Sequence, residues 1–122
     1  MNLTILYVED HQLVADAVKD MLQAEGWQVV LCADGAVALR RLASAAHYDL
    51  LLTDNHLPTV NGLELVRYAR QLPHRAALPI IMFAAEDCSR AAYRAGVDVF
   101  LKKPEDTGVV GRALARLLFR GA

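Results

Sequence analysis

Asp49-Leu50-Leu51-Leu52-Thr53-Asp54 is a short leucine run that ends on a carboxylate. A brief apolar run without alternation predicts a strand buried on both faces. Four more runs of this kind occur along the chain: Leu3–Val8, Trp27–Cys32, Pro79–Ala84 and Val97–Leu101. Between them the apolar residues move to helical spacing. Leu13, Val14, Ala17, Val18, Met21 and Leu22 form one stripe, with Asp16, Lys19, Asp20 and Gln23 opposite. Gly26 follows, where a helix C-terminus favours a residue free to take positive φ. Val37, Ala38, Leu42 and Ala45 stripe a second helix, and Leu63, Val66 and Ala69 a third. A short fourth helix is predicted from about Asp87 to Ala95, stopping at Gly96. The fifth carries Val110, Ala113, Leu114, Leu117 and Leu118, with Arg112, Arg116 and Arg120 on its wet side. Strand–helix alternation repeated in this way predicts an α/β fold: a doubly wound, five-stranded parallel sheet between two helical layers.

Composition narrows the function. A chain of 122 residues fits one domain, residues 1–122. With 13 Lys+Arg against 14 Asp+Glu it lacks the basic excess of a dedicated nucleic-acid binder. Its longest apolar run, Ile80 to Ala85, falls far short of the ~20 residues of a membrane-spanning helix. The opening Met1-Asn2-Leu3-Thr4 lacks the basic and apolar regions of a secretion signal. Cys32 and Cys88 form no Cys-x-x-Cys pairing and suit two small buried thiols in a reducing compartment. The expectation is a soluble cytoplasmic domain without direct nucleic-acid or membrane contact.

In open parallel sheets, sites form at the carboxyl ends of strands. Glu9, Asp10 and His11 follow the first predicted strand, and Asp54, Asn55 and His56 the third. Ala84, Ala85 and Glu86 stand at the end of the fourth, and Lys102, Lys103 and Pro104 at the end of the fifth. Clustered carboxylates repel unless a cation sits among them. Glu9, Asp10 and Asp54 offer the hard oxygen ligands that suit Mg²⁺. Asp10 taken alone is weak evidence, because a lone Asp at a strand end also reads as a helix cap. Metal together with Lys103 is the means by which proteins neutralise a phosphoryl group in transfer.

Val8-Glu9-Asp10, Leu50-Leu51-Leu52-Thr53-Asp54, Leu57-Pro58, Gly62 and Lys103-Pro104, in that order and at these spacings, resemble the receiver domain of bacterial two-component response regulators. The resemblance covers nearly the whole chain and implies the CheY-like, flavodoxin-like sheet order 2-1-3-4-5. It implies that Asp54 is the phosphoacceptor, attacking the phosphohistidine of a histidine kinase or phosphotransfer protein. It implies a Mg²⁺ site at Asp10 and Asp54, supported by Glu9 and completed by the backbone carbonyl of His56. Lys103 would pair with Asp54 and then with the phosphoryl oxygen, next to a Lys103–Pro104 bond that is often cis in the family. A downstream protein or fused output domain would read the state. The domain would assist only its own phosphorylation and dephosphorylation, without acting on an external metabolite.

The chain departs from that family's pattern at Ala84, where a Thr or Ser is usual. A methyl group cannot donate the hydrogen bond that ties the phosphoryl group to a movable aromatic, here Phe100. Two readings of Phe100 follow, a switch residue and a fixed core aromatic. A phosphate-independent interaction module is the alternative function, with Ala84 as its support and Glu9, Asp10, Asp54 and Lys103 against it. An aspartyl-phosphate phosphatase would place a second Asp where His56 stands. His56 itself reads either as a side chain overhanging the phosphoryl group or as an exposed loop imidazole. The fifth helix's arginines read as a solvated face or as a surface for dimerisation or partner docking. Gly108 and Gly111 weaken its first turns.

Overall fold

The computed structural model describes residues 2–119. Five strands alternate with five helices: β1 Thr4–Val8, α1 Gln12–Ala24, β2 Gln28–Cys32, α2 Gly35–Ala43, β3 Leu50–Thr53, α3 Gly62–Gln71, β4 Ile80–Ala84, α4 Ser89–Ala95, β5 Val99–Lys102 and α5 Val110–Leu118. A 3₁₀ turn, Thr107–Val109, leads into α5. The sheet is parallel throughout, in the order β2-β1-β3-β4-β5. The expected fold class and strand order are both present.

Strand alternation divides the core into two layers. Leu6, Val8, Leu51, Ile80, Met82 and Ala84 pack with residues of α2, α3 and α4. Ile5, Tyr7, Leu50, Leu52, Ile81, Phe83 and Leu101 pack with α1 and α5 on the other face. Because both faces are covered, β3 and β4 are buried along their whole length. That double burial explains why these strands read as unbroken apolar runs.

The boundaries differ from the sequence reading where side chains compete for backbone groups. Asp49 lies just outside β3, where its Oδ2 accepts the Thr4 N–H at 2.8 Å. Asp98 accepts the Ile80 N–H at 2.8 Å and pairs with Arg70, so β5 begins at Val99, two residues later than expected. Asp87 accepts from both the backbone and the hydroxyl of Ser89, which delays α4 to Ser89. Trp27 is buried but precedes β2. Gly26 and Gly96 follow α1 and α4 with positive φ, in keeping with the stop signals expected of them.

The stripe assigned to α1 is corrected more substantially. Ala15, Val18 and Leu22 form its buried face, whereas Ala17 is exposed and Leu13 is 78% exposed. Six apolar residues wrap too far round this helix for one packed face to hold them all. Ala45 is likewise exposed, because α2 ends at Ala43. In α3, Leu65 joins Val66 and Ala69 in the core, while Leu63 is half-buried.

Side-chain bonds to backbone groups hold the outer segments in place. Arg75 is buried without a carboxylate partner among the described residues. It donates to the carbonyls of Leu42, Ser44 and Ala46 and lies 5.0 Å over the Tyr48 ring. On the free edge of β5, the Phe100 N–H donates to the Tyr93 hydroxyl at 3.0 Å, and the Lys102 N–H to Asp106 Oδ2 at 2.8 Å.

Gly111 lies within α5, where glycine costs about 1 kcal/mol relative to alanine. A Cβ added at Gly108 or Gly111 would meet no atom within 4 Å among the described residues, so their packing does not require either glycine.

Candidate functional site

The site forms where β1, β3 and β5 end. Glu9 and Asp10 follow β1, Asp54 follows β3, and Lys103 follows β5. Parallel register brings these ends level, with Val8 opposite both Cys32 and Thr53. Carboxylate oxygens of Glu9, Asp10 and Asp54 all lie within 4.8 Å of one another. Glu9 and Asp54 are 2% and 8% exposed, whereas Asp10 is open to solvent.

Lys103 Nζ donates to Asp54 Oδ2 at 3.0 Å and also to Glu9 Oε1. The same ammonium lies 5.5 Å over the Phe83 ring. Asp54 Oδ1 accepts the Asn55 N–H at 2.7 Å, and Glu9 Oε2 accepts the His11 N–H at 3.1 Å. Burial raises Glu9 above the usual carboxylate range. Its bond from Lys103 opposes that rise, while the Asp54 charge adds to it. Burial alone would lower Lys103, but the hydrogen bonds and charges of Glu9 and Asp54 prevail and raise it. The lysine is therefore held as a cation between two acids.

The loop after β3 is folded tightly against Asp54. The Gly62 N–H donates to the Asn55 carbonyl at 2.8 Å. A Cβ on Gly62 would stand 2.1 Å from the Asp54 carbonyl oxygen. Thr59 adopts φ 67°, and a Cβ on Gly35 would stand 1.8 Å from the Val60 carbonyl oxygen. Both glycines are thus demanded by backbone approach. The Asn55 side chain accepts the Leu63 N–H at 3.1 Å and ties the loop to α3. The Lys103–Pro104 peptide bond is cis.

The remaining sequence-selected residues sit around this centre. Ala84 is fully buried at the end of β4, and its carbonyl accepts the Lys103 N–H at 2.9 Å. Phe100 is half-buried against the same core layer as Ala84. The His56 imidazole is largely exposed, with Nε2 3.1 Å from Glu86 Oε1. Its backbone carbonyl accepts no hydrogen bond among the described residues. The His56–Glu86 contact and the roles of Asn55 and Gly35 were not found from sequence. The His56–Glu86 and Gly35–Val60 approaches depend on separate segments meeting, and the Asn55 bonds on the β3–α3 loop turning back on itself. The cap of α1 is His11, whose Nδ1 accepts the Val14 N–H, and Asp10 is left free of that duty.

Three clustered carboxylates, two of them buried, make an all-oxygen donor set that fits Mg²⁺. No helix among the described residues is long and apolar enough to cross a membrane.

The family described as the response regulator receiver domain matches residues 5–115. The polar-differentiation response regulator DivK of Brucella ovis is 29% identical over 107 residues, covering 85% of this chain and 86% of DivK. The alkaline phosphatase synthesis transcriptional regulatory protein SphR of Synechococcus elongatus is 35% identical over 114 residues, covering 84% of this chain and 44% of SphR. Among solved structures, the receiver domain of the sensor histidine kinase PA1611 of Pseudomonas aeruginosa superposes with a TM-score of 0.87 at 30% identity. It covers 97% of this chain and 98% of that one, and it has a magnesium ion coordinated in its active-site cleft. The chemotaxis response regulator CheY4 of Vibrio cholerae gives a TM-score of 0.88 at 27% identity, with 97% and 100% coverage.

Proposed function

The chain belongs to the response regulator receiver family, and from that premise we propose that Asp54 is the phosphoacceptor of a two-component phosphorelay. The observation that carries the reading is the contact of Lys103 Nζ with Asp54 Oδ2, at 3.0 Å, beside the Glu9 and Asp10 carboxylates. Lys103 presents a fixed cation to the approaching phosphoryl charge, and the clustered carboxylates would hold a divalent cation that adds to it.

Asp54 Oδ attacks the phosphorus of a phosphohistidine on a histidine kinase or phosphotransfer protein. The new P–O bond forms as the P–N bond breaks, and the imidazole nitrogen departs with the bonding pair. The ammonium of Lys103 turns from the carboxylate oxygen to a phosphoryl oxygen. Glu9, Asp10, Asp54 and the His56 carbonyl would hold Mg²⁺, which when bound neutralises charge on the phosphoryl oxygens. Asn55 keeps Asp54 oriented through its N–H. The product is an acyl phosphate on the domain itself, so the domain signals without turning over an external substrate.

The reading extends to a single receiver domain over residues 1–122, working in the cytoplasm and read by a downstream protein or a fused output domain. Ala84 and Phe100 occupy the switch positions. With a methyl group at Ala84, the phosphoryl group gains no hydrogen bond there, so its coupling to Phe100 is weakened. A ligand shifts an equilibrium only by contacts that differ between the two states.

Intact-mass measurement after incubation with acetyl phosphate and Mg²⁺, beside an Asp54→Ala control, tests the proposal. A Mg²⁺-dependent phosphoryl adduct missing from the control is expected. Absence of both the adduct and beryllofluoride binding would overturn it. That result would favour the second reading, a phosphate-independent interaction module, which Ala84 supports.

A further inference from the structure

The C-terminal part of α1 and the start of α5 flank an open groove of about 550 Å³. Met21 and Ala24 form one wall, while Gly108, Gly111 and Ala115 leave the other wall low. Glu25 stands on the α1 side and Arg112 on the α5 side. Neither side chain has a hydrogen-bond or ion-pair partner among the described residues. The charges around them are sorted by helix. Asp16, Asp20 and Glu25 outnumber Lys19 along α1 and its cap, while α5 offers Arg112 and Arg116 and no acid.

An acidic wall and a basic wall beside one apolar groove are self-complementary. Under a two-fold axis, the α1 wall of one copy meets the α5 wall of the other, and each Glu25–Arg112 contact occurs twice. A Cβ at position 108 or 111 would meet none of the described atoms within 4 Å, so side chains there would stand in the groove rather than in the core. We propose that this groove is the docking surface for a second copy of the chain, forming a two-fold dimer through α1 and α5. The assignment rests on shape and charge away from Asp54 and does not depend on the phosphoacceptor reading. It also accounts for the two glycines that the fold itself does not require.

Sedimentation velocity on the full chain over a range of concentrations tests it. A concentration-dependent dimer is expected for the unaltered protein. Gly111→Gln fills the groove while raising helix propensity, so it weakens association without endangering the fold. Glu25→Arg and Arg112→Glu each set like charges face to face and weaken the dimer by at least about tenfold. The double variant Glu25→Arg/Arg112→Glu restores the attraction with reversed polarity and recovers the dimer. A chain that stays monomeric at every concentration overturns the proposal. So does a dimer that none of these substitutions moves, since its interface then lies elsewhere.

Discussion

Gly62 approaches Asp54 so closely that a single added carbon would stand 2.1 Å from the Asp54 carbonyl oxygen. The group it would strike is backbone, which cannot swing aside. Gly62→Ala is expected to destabilise the protein by about 1–3 kcal/mol through overpacking. It should also slow phosphoryl adduct formation, because the loop that orients Asp54 has to shift. Urea unfolding and intact-mass time courses read the two effects. An alanine variant with unchanged stability and rate would show that the loop has slack the structure denies.

Lys103 separates two buried acids. Replacing it by Met leaves Glu9 and Asp54 facing one another without a cation, a loss on the order of 3 kcal/mol. A divalent cation can take over that role in part. Mg²⁺ should therefore raise the melting temperature of Lys103→Met by more than that of the unaltered chain. Equal responses would mean that the metal does not occupy the acid cluster.

Tyr7 carries a hydroxyl that is buried without a hydrogen-bond partner among the described residues. Burial, and then the charges of Glu9 and Asp54, hold its phenol far above the ordinary value. The phenolate is thus available only to the unfolded chain. Stability is full below about pH 10 and falls as pH rises above it, because the folded state there retains a proton that the unfolded state releases. Tyr7→Phe removes the unpaired hydroxyl and should stabilise by about 1 kcal/mol at neutral pH. Its advantage should widen above about pH 10. Unfolding curves at neutral and alkaline pH measure both; a constant difference would exclude the linkage.

Arg75 is a buried cation satisfied by carbonyls rather than by an acid. Arg75→Leu strips hydrogen bonds from Leu42, Ser44 and Ala46 at the end of α2. A loss of about 1.5–3 kcal/mol is expected from the charged hydrogen bonds alone. Hydrogen exchange should report it as faster exchange at the end of α2 and in the segment leading to β3. A uniform loss across the domain would place the effect elsewhere.

Ala84→Thr introduces a hydroxyl at the end of β4. A hydrogen bond to a charged phosphoryl group is worth about 1.5–3 kcal/mol, enough to bias a two-state aromatic. The Phe100 ring populations, followed by NMR with and without beryllofluoride, should respond more in the variant than in the parent. Identical responses would leave Phe100 a fixed core residue.

The sheet and the acid cluster were legible because each rests on a local signal. Leu50 to Asp54 announces a double-sided strand and the carboxylate at its end, and Lys103-Pro104 does the same for β5 in the light of the family resemblance. The α1 stripe misled because Leu13 and Ala17 share helical spacing with Val18 and Leu22. Periodicity alone does not say how wide a face the sheet covers. Arg75 gave no local signal, since its partners are carbonyls roughly thirty residues away. The His56–Glu86 contact joins two loops and was invisible for the same reason.

The two side-chain bonds on the free edge of β5 bear on the behaviour of the protein in a crowded solution. An open edge invites another strand, and with it sheet-by-sheet aggregation. Here the N–H groups of Phe100 and Lys102 are already occupied by Tyr93 and Asp106. A foreign strand would have to displace a phenol and a carboxylate before gaining its first ladder bonds. Amyloid-like growth from this side is therefore disfavoured while the native state holds.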